Sequence, residues 1–213
     1  AEIIRTNAKY LDSEQAEMNL KRAIDIYLNI FPERNIYRMR GYEKYGDFLN
    51  EQGRYLDADF NYNKAIENGL ANTGFQNDWI VYPRIQAAKA KNFCDMGKIE
   101  DGLVLIEKVI NKIEIKFFES EDSILRNEPN INENFANYLG IKSECLQKND
   151  DDQYAFKIRS KATSIYEHIL RSDQSFSANY QLRKREQFRD SFIKHIDLIE
   201  SLGLMDNLEY FNE

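Results

Sequence analysis

The stretch Tyr42-Glu43-Lys44-Tyr45-Gly46-Asp47-Phe48-Leu49-Asn50-Glu51-Gln52-Gly53-Arg54-Tyr55-Leu56-Asp57-Ala58-Asp59-Phe60-Asn61-Tyr62-Asn63-Lys64-Ala65-Ile66 decides how this chain folds. In each half, apolar and aromatic residues recur in steps of three and four, the steps that keep side chains on one helix face. Gly53 separates the halves and can take the positive φ that ends a helix. Gly46 and Ala58 are small where two antiparallel helices must cross, so the backbones can approach. The stretch reads as a helical hairpin.

Working outward, the second half of the hairpin has echoes. Ala16, Leu20 and Ala23 repeat the spacing of Ala58, Tyr62 and Ala65, as do Gly102, Ile106 and Val109, and Ala155, Arg159 and Ala162. Each set puts a small residue first, a mostly large one four positions on, and a small or branched one three further. The four sets begin 42, 44 and 53 residues apart. One such set arises by chance in any amphipathic helix; four make an internal repeat.

The hairpin resembles the tetratricopeptide repeat (TPR). That family's pattern has a large aromatic, a Leu-Gly pair, an aromatic, a turn Gly with an aromatic two later, then Ala, aromatic, Ala. Tyr42, Tyr45-Gly46, Leu49, Gly53, Tyr55, Ala58, Tyr62 and Ala65 occupy those places. The other units are degenerate. In the third, Ala90 stands for Gly46, Gly97 for Gly53 and Ile99 for Tyr55, while Gly102 replaces the alanine. In the fourth, Leu139-Gly140 restores the pair, the turn reads as lengthened by 148–152, and Arg159 stands where an aromatic is usual. The resemblance implies an all-α fold, an α-solenoid of antiparallel helical hairpins in a right-handed superhelix of about eight or nine helices. Helices are expected at 3–11, 13–30, 35–52, 55–68, 79–96, 99–118, 131–147, 152–171 and 178–202. They group into one domain over 1–213, with units near 1–30, 35–69, 79–118 and 131–171 and a capping helix at 178–202. Phe188, Phe192, Ile196 and Ile199 form the packed stripe expected of that cap, with Arg183-Lys184-Arg185 and Arg189 toward water.

Composition agrees with a folded helical chain. Only 9 Gly and 3 Pro occur in 213 residues, too few for the turns of a sandwich or barrel. The 31% charged and 13% aromatic content is not that of a disordered chain. A net charge of -7 forfeits the counterion release that drives non-specific nucleic-acid binding, so no nucleic-acid partner is expected. No apolar run approaches the roughly 18 to 20 residues that span a bilayer, so no membrane insertion is expected. Cys94 and Cys145 have no CxxC or His-paired spacing and read as reduced core thiols. The N-terminus Ala1-Glu2-Ile3-Ile4-Arg5 carries neither an initiator Met nor a signal-peptide pattern. The expected location is cytoplasmic, with a removed signal peptide or excision from a larger protein left open.

Catalytic chemistry finds little support. His168 and His195 are the only histidines and lie in no HExxH or HxH spacing. The glycines are scattered singly at hairpin turns, so there is neither a phosphate loop nor a nucleophile elbow. Asn149-Asp150-Asp151-Asp152 lacks the central Gly of a calcium loop, and Lys161 stands where its terminal Glu belongs; helix capping explains it. No enzyme activity, metal or cofactor is expected.

What the resemblance implies instead is binding of a protein or peptide along the polar face of the leading helices. Mapped onto this chain, that face is Arg40, Glu43, Asp47 and Asn50 in the second unit, Arg84, Ala87 and Lys91 in the third, and Asn137 and Ile141 in the fourth. Glu43 and Asp47 stand where the Lys and Asn of a chaperone-binding carboxylate clamp belong, so that role is not implied. Arg40, Arg84 and Lys91 suit an acidic group. Phe75, Trp79 and Tyr82 near the loop after the second hairpin are a second candidate surface, or they pack that loop. The leading function is a protein- or peptide-binding scaffold; the alternatives are a ligand- or peptide-sensing regulatory segment of a larger protein and, remotely, an enzyme with a scattered helical site.

Overall fold

The computed structural model describes residues 13–69, 81–117, 129–172 and 178–204. Among them every regular element is an α-helix: α1 (Ser13–Ile30), α2 (Ile36–Glu51), α3 (Tyr55–Gly69), α4 (Val81–Asp95), α5 (Ile99–Phe117), α6 (Pro129–Gln147), α7 (Asp152–Ser172) and α8 (Ala178–Ser201). Their ends fall within two residues of those expected. The expected helix at 3–11 lies outside the described residues.

Local chemistry sets these ends. The Asn35 side chain accepts the Tyr37 N–H at 2.8 Å and caps α2. Gly53 closes the same helix at φ +71, with the Arg54 N–H donating to the Leu49 carbonyl and the Gly53 N–H to that of Asn50, the paired bonds of a Schellman turn. The same two bonds recur after α4 at Gly97, after α6 at Asp150 and after α8 at Gly203. From Gly53 to Ala58, Gly97 to Gly102 and Asp150 to Ala155 the step is five residues each time. This register corrects the reading of the fourth unit. Its turn is not lengthened, because Asp150 takes the left-handed conformation itself, at φ 58. Ser143, rather than Gly140, stands seven residues before the turn, where Gly46 stands in the α2/α3 hairpin.

The chain packs as two compact units, 1–102 and 103–213. In the first, Met39, Leu49, Ala58, Tyr62, Ala65 and Ile85 form the core of the α2/α3 hairpin and its contact with α4. The crossing is as tight as the small residues suggest: a Cβ at Gly46 would lie 2.9 to 3.3 Å from the Tyr62 ring. Ala16 and Leu20 of α1 pack against Tyr45 and Phe48 of α2. At the α4/α5 crossing a Cβ on Gly102 would meet the Ala90 carbonyl oxygen at 2.9 Å and the Cys94 Sγ at 2.2 Å, which explains why glycine replaces the alanine there. Cys94 and Cys145 are both buried, and each is disulfide-bonded, correcting the expectation of reduced thiols. Spacing along the chain says nothing about what a cysteine meets once folded.

In the second unit Leu146, Ala155 and Leu198 pack with Leu103, Phe156 and Ile158. The Ser143 hydroxyl donates to the Ala155 carbonyl at 2.9 Å, so a polar contact replaces the bare glycine at this crossing. Tyr166 stacks on Phe188 with centroids 4.2 Å apart. The buried line of α8 runs through Phe188, His195 and Leu198, with Ile199 beside it. The expected stripe is only half right: Phe192 is half-buried and Ile196 is 48% exposed.

Candidate functional site

Steps of three and four along α2 put Arg40, Glu43, Asp47 and Asn50 on one face, and along α4 they align Arg84, Ala87 and Lys91. The structure brings most of these residues together, and it does so by pairing them with one another. Glu43 is 2% exposed and receives both Nε and Nη2 of Arg84, at 2.7 and 2.9 Å. This two-pronged, charge-assisted pair fixes α4 against α2. Two turns further on, the Asn50 amide nitrogen donates to Asn92 Oδ1 at 3.1 Å and to Asp95 Oδ2 at 3.0 Å. Lys91 donates to the same Asp95 oxygen at 2.6 Å and lies 3.5 Å from Asn50 Oδ1. Asn92, fully buried, also donates to the Tyr55 carbonyl at 3.0 Å, so one amide joins α2, α3 and α4. Asp47 accepts the Tyr62 hydroxyl at 3.1 Å and Lys44 at 2.7 Å. Burial, chiefly, and the Asp47 charge hold the Tyr62 hydroxyl far above the usual tyrosine range.

The remaining residues divide. Arg40 is half-buried and makes no ion pair or hydrogen bond among the described residues. Ala87 is buried at 1% exposure and belongs to packing. In the compact unit 103–213 Asn137 is exposed on α6 and Ile141 is buried. Tyr82 packs half-buried against the α2/α3 core, while Phe75 and Trp79 lie outside the described residues. Sequence reasoning missed Asn92 and Asp95. Their signal was weak, since a buried Asn inside a helix is legible only through the partners it meets.

Arg159 shows how the second unit handles a position that is aromatic elsewhere. It is 2% exposed, donates from Nη2 to the Gly140 carbonyl at 3.0 Å, and pairs with Glu144 at 3.5 Å. Glu144 has the register of Asp47, so the Tyr62–Asp47 bond of one hairpin becomes Arg159–Glu144 in the other. Burial lowers the Arg159 pKa against the opposing pull of Glu144. Lys194 of α8 reaches Glu144 at 2.7 Å. Beside them His195 places Nε2 3.1 Å from the Ser160 hydroxyl and Nδ1 3.1 Å from that of Thr163. Burial first, and Arg159 second, lower its pKa. A serine next to a histidine suggests a nucleophile, but Nδ1 faces a hydroxyl rather than the orienting carboxylate of a triad. Ser160 also donates to the Phe156 carbonyl at 2.9 Å, a helix-packing role.

Among the described residues no group of three or more His, Cys, Asp or Glu is arranged to hold a metal ion, and no helix is long and apolar enough to cross a membrane. The hairpins, the repeated turns and the small-residue crossings define a TPR-like α-solenoid fold. Two solved structures carry it over nearly the whole chain. Both are crystal structures of nearly identical TPR-like repeats from a Podosopora anserina protein assigned as a kinesin light chain. One, of a single-substitution variant, superposes with a TM-score of 0.57 at 12% identity, covering 95% of this chain and 93% of that one. Its companion gives 0.55 at 14% identity, covering 91% and 93%. No family model and no curated protein matches the chain.

Proposed function

We propose that the chain is a non-catalytic scaffold that holds a protein or peptide segment, without nucleic acid, on the polar face shared by α2 and α4. The observation that carries this reading is Arg40. The other cations of the face have counterions within the fold, Arg84 in Glu43 and Lys91 in Asp95. Arg40 has none among the described residues, on a face whose neighbouring side chains are already held in place. A preorganised face with one uncompensated guanidinium suits a ligand carboxylate, because the ordering cost has been met during folding. Charge reversal at Arg84, by contrast, would put a second carboxylate against buried Glu43 and confound binding with stability.

Arg40→Glu is therefore the clean test. Peptides selected by phage display on the wild-type protein are titrated against both forms by fluorescence anisotropy. The expected result is at least about a tenfold loss of affinity in the variant, an unchanged melting temperature, and partial rescue by Arg40→Lys. Selected peptides that bind Arg40→Glu as tightly as wild type move the site off this face.

A further inference from the structure

α8 was expected to cap the fold, yet its build is that of a leading helix. It ends in the Schellman turn that closes α2, α4 and α6. Lys184 and Gln187 bond Glu133 of α6, and Lys194 bonds Glu144, a ladder between leading helices like that from α2 to α4. Aligning Gly203 with Gly53 puts His195 and Leu198 in the register of Tyr45 and Phe48. The two pairs pack alike: Tyr45 and Phe48 lie on Ala16 and Leu20 of the preceding helix, and His195 and Leu198 lie against Phe156, Ser160 and Ala155 of α7.

The same register locates what differs. In α2 the residues turned toward α3 are Met39, Tyr42 and Gly46, in contact with the Ala58 and Tyr62 core. In α8 those places hold Arg189, Phe192 and Ile196. Together with Arg185, Ile193, and Leu170 and Arg171 at the end of α7, they line an open groove of about 690 Å³. Leu182, Ile193 and Ile196 are exposed at 57, 42 and 48%. A helix that only capped the fold would present a polar outer face. From Leu182 to Ile196 this face, apolar at its two ends with Arg185 and Arg189 between them, runs about 21 Å, the length of a four-turn helix. Arg185 and Arg189 have no ion pair among the described residues, and the nearest pairing of Arg171 is a long 3.9 Å contact with Glu167. Where Met39 meets an apolar neighbour, Arg189 asks for a carboxylate. Where Gly46 admits the Tyr62 ring, the bulk of Ile196 asks for a small residue opposite.

We infer that this groove binds an amphipathic acidic helix of a partner protein, seated on α8 as α3 is seated on α2, with Ala or Gly against Ile196 and Glu or Asp against Arg185 and Arg189. The site lies apart from the α2/α4 face and stands whether or not that face binds a ligand. A membrane surface is disfavoured by the net charge of -7, which opposes approach to anionic lipid.

The test uses the full chain and a fluorescein-labelled helical peptide of about 16 residues, with Leu and one central Ala along one face and Glu on its flanks; a twin carries Lys for Glu. The Glu peptide is expected to bind and the Lys twin not. Arg185→Glu with Arg189→Glu, and separately Ile193→Asp, should each weaken binding at least about tenfold with melting unchanged, since these side chains are exposed. Equal binding of both peptides, or full binding by the charge-reversed protein, overturns the proposal. So does binding to vesicles of anionic phosphatidylglycerol with none to the peptide, or a concentration-dependent dimer abolished by Ile193→Asp. A chain ending at Leu204 should bind the Glu peptide as the full chain does; tenfold tighter binding would show that the chain's own residues 205–213 hold the groove, and would overturn an external occupant.

Discussion

At the scale of single residues, the fold turns on a few crossings where a side chain on one helix meets the absence of one on its partner. Tyr62 fills the space that Gly46 leaves, and Ala58 beside it is fully buried. Both roles were legible in the sequence, because a small residue flanked at helical spacing by aromatics has few other uses. Arg159 was legible only as an anomaly. Nothing in the chain near it tells that its guanidinium would reach the Gly140 carbonyl and Glu144, because those partners depend on how two helices are staggered. Ala58→Trp tests the crossing at its tightest point. A buried site with no free volume cannot accept an indole without moving a helix, and overpacking of this kind costs about 1 to 3 kcal/mol or more. Urea denaturation should show at least that loss, or the protein should fail to fold. Melting equal to wild type would mean that α2 and α3 do not cross at Ala58.

At the scale of elements, helices and their ends followed from period, caps and turn residues, which act within a few positions. What joins one hairpin to the next did not. Glu43 looked like a ligand-facing acid because it shares a face with Arg40, Asp47 and Asn50, but its partner Arg84 lies 41 residues on. Local periodicity identifies a face without saying which neighbour covers it. The same limit explains α8, where two apolar stripes were present and only one packs. The Glu43–Arg84 pair gives this inter-helix joint a measurable strength. Arg84→Met leaves a carboxylate buried without its cation, at a cost of about 2 to 3 kcal/mol, reduced from the fully buried case because Arg84 is itself partly exposed. Adding Glu43→Leu removes the stranded charge and should recover most of the loss. Thermal or urea denaturation of the two variants checks this. A single variant within about 0.5 kcal/mol of wild type would place the pair among the surface contacts that contribute little.

At the scale of the whole molecule, each compact unit carries its own acid-sensitive contact, and the two should fail at different pH. In the second unit, burial and then Arg159 depress His195 below its ordinary 6.5; Ser160, Thr163 and Phe156 are the uncharged groups around it. Above pH 6.5 neither the folded nor the unfolded chain binds this proton, and the contribution is complete. As pH falls below 6.5, the unfolded chain takes up a proton that the folded one refuses, so stability declines. In the first unit, Glu17 accepts from Lys21, Arg54 and the Tyr45 hydroxyl. Bonds from Lys21 first, then Arg54, lower its pKa from 4.5 to about 2. That contribution is intact above pH 4.5 and is lost as pH falls from there toward 2. Melting followed by circular dichroism at constant ionic strength should therefore decline in two steps, one beginning below 6.5 and a second below 4.5. His195→Gln should flatten the first step alone, and Glu17→Gln the second alone. Because burial, chiefly, and then the buried Arg159 oppose the His195 proton, raising the salt should shrink the partly exposed Glu17 step more than the His195 step. A first step that survives His195→Gln unchanged would assign the near-neutral loss to another group and remove His195 as the point where acid loosens α8.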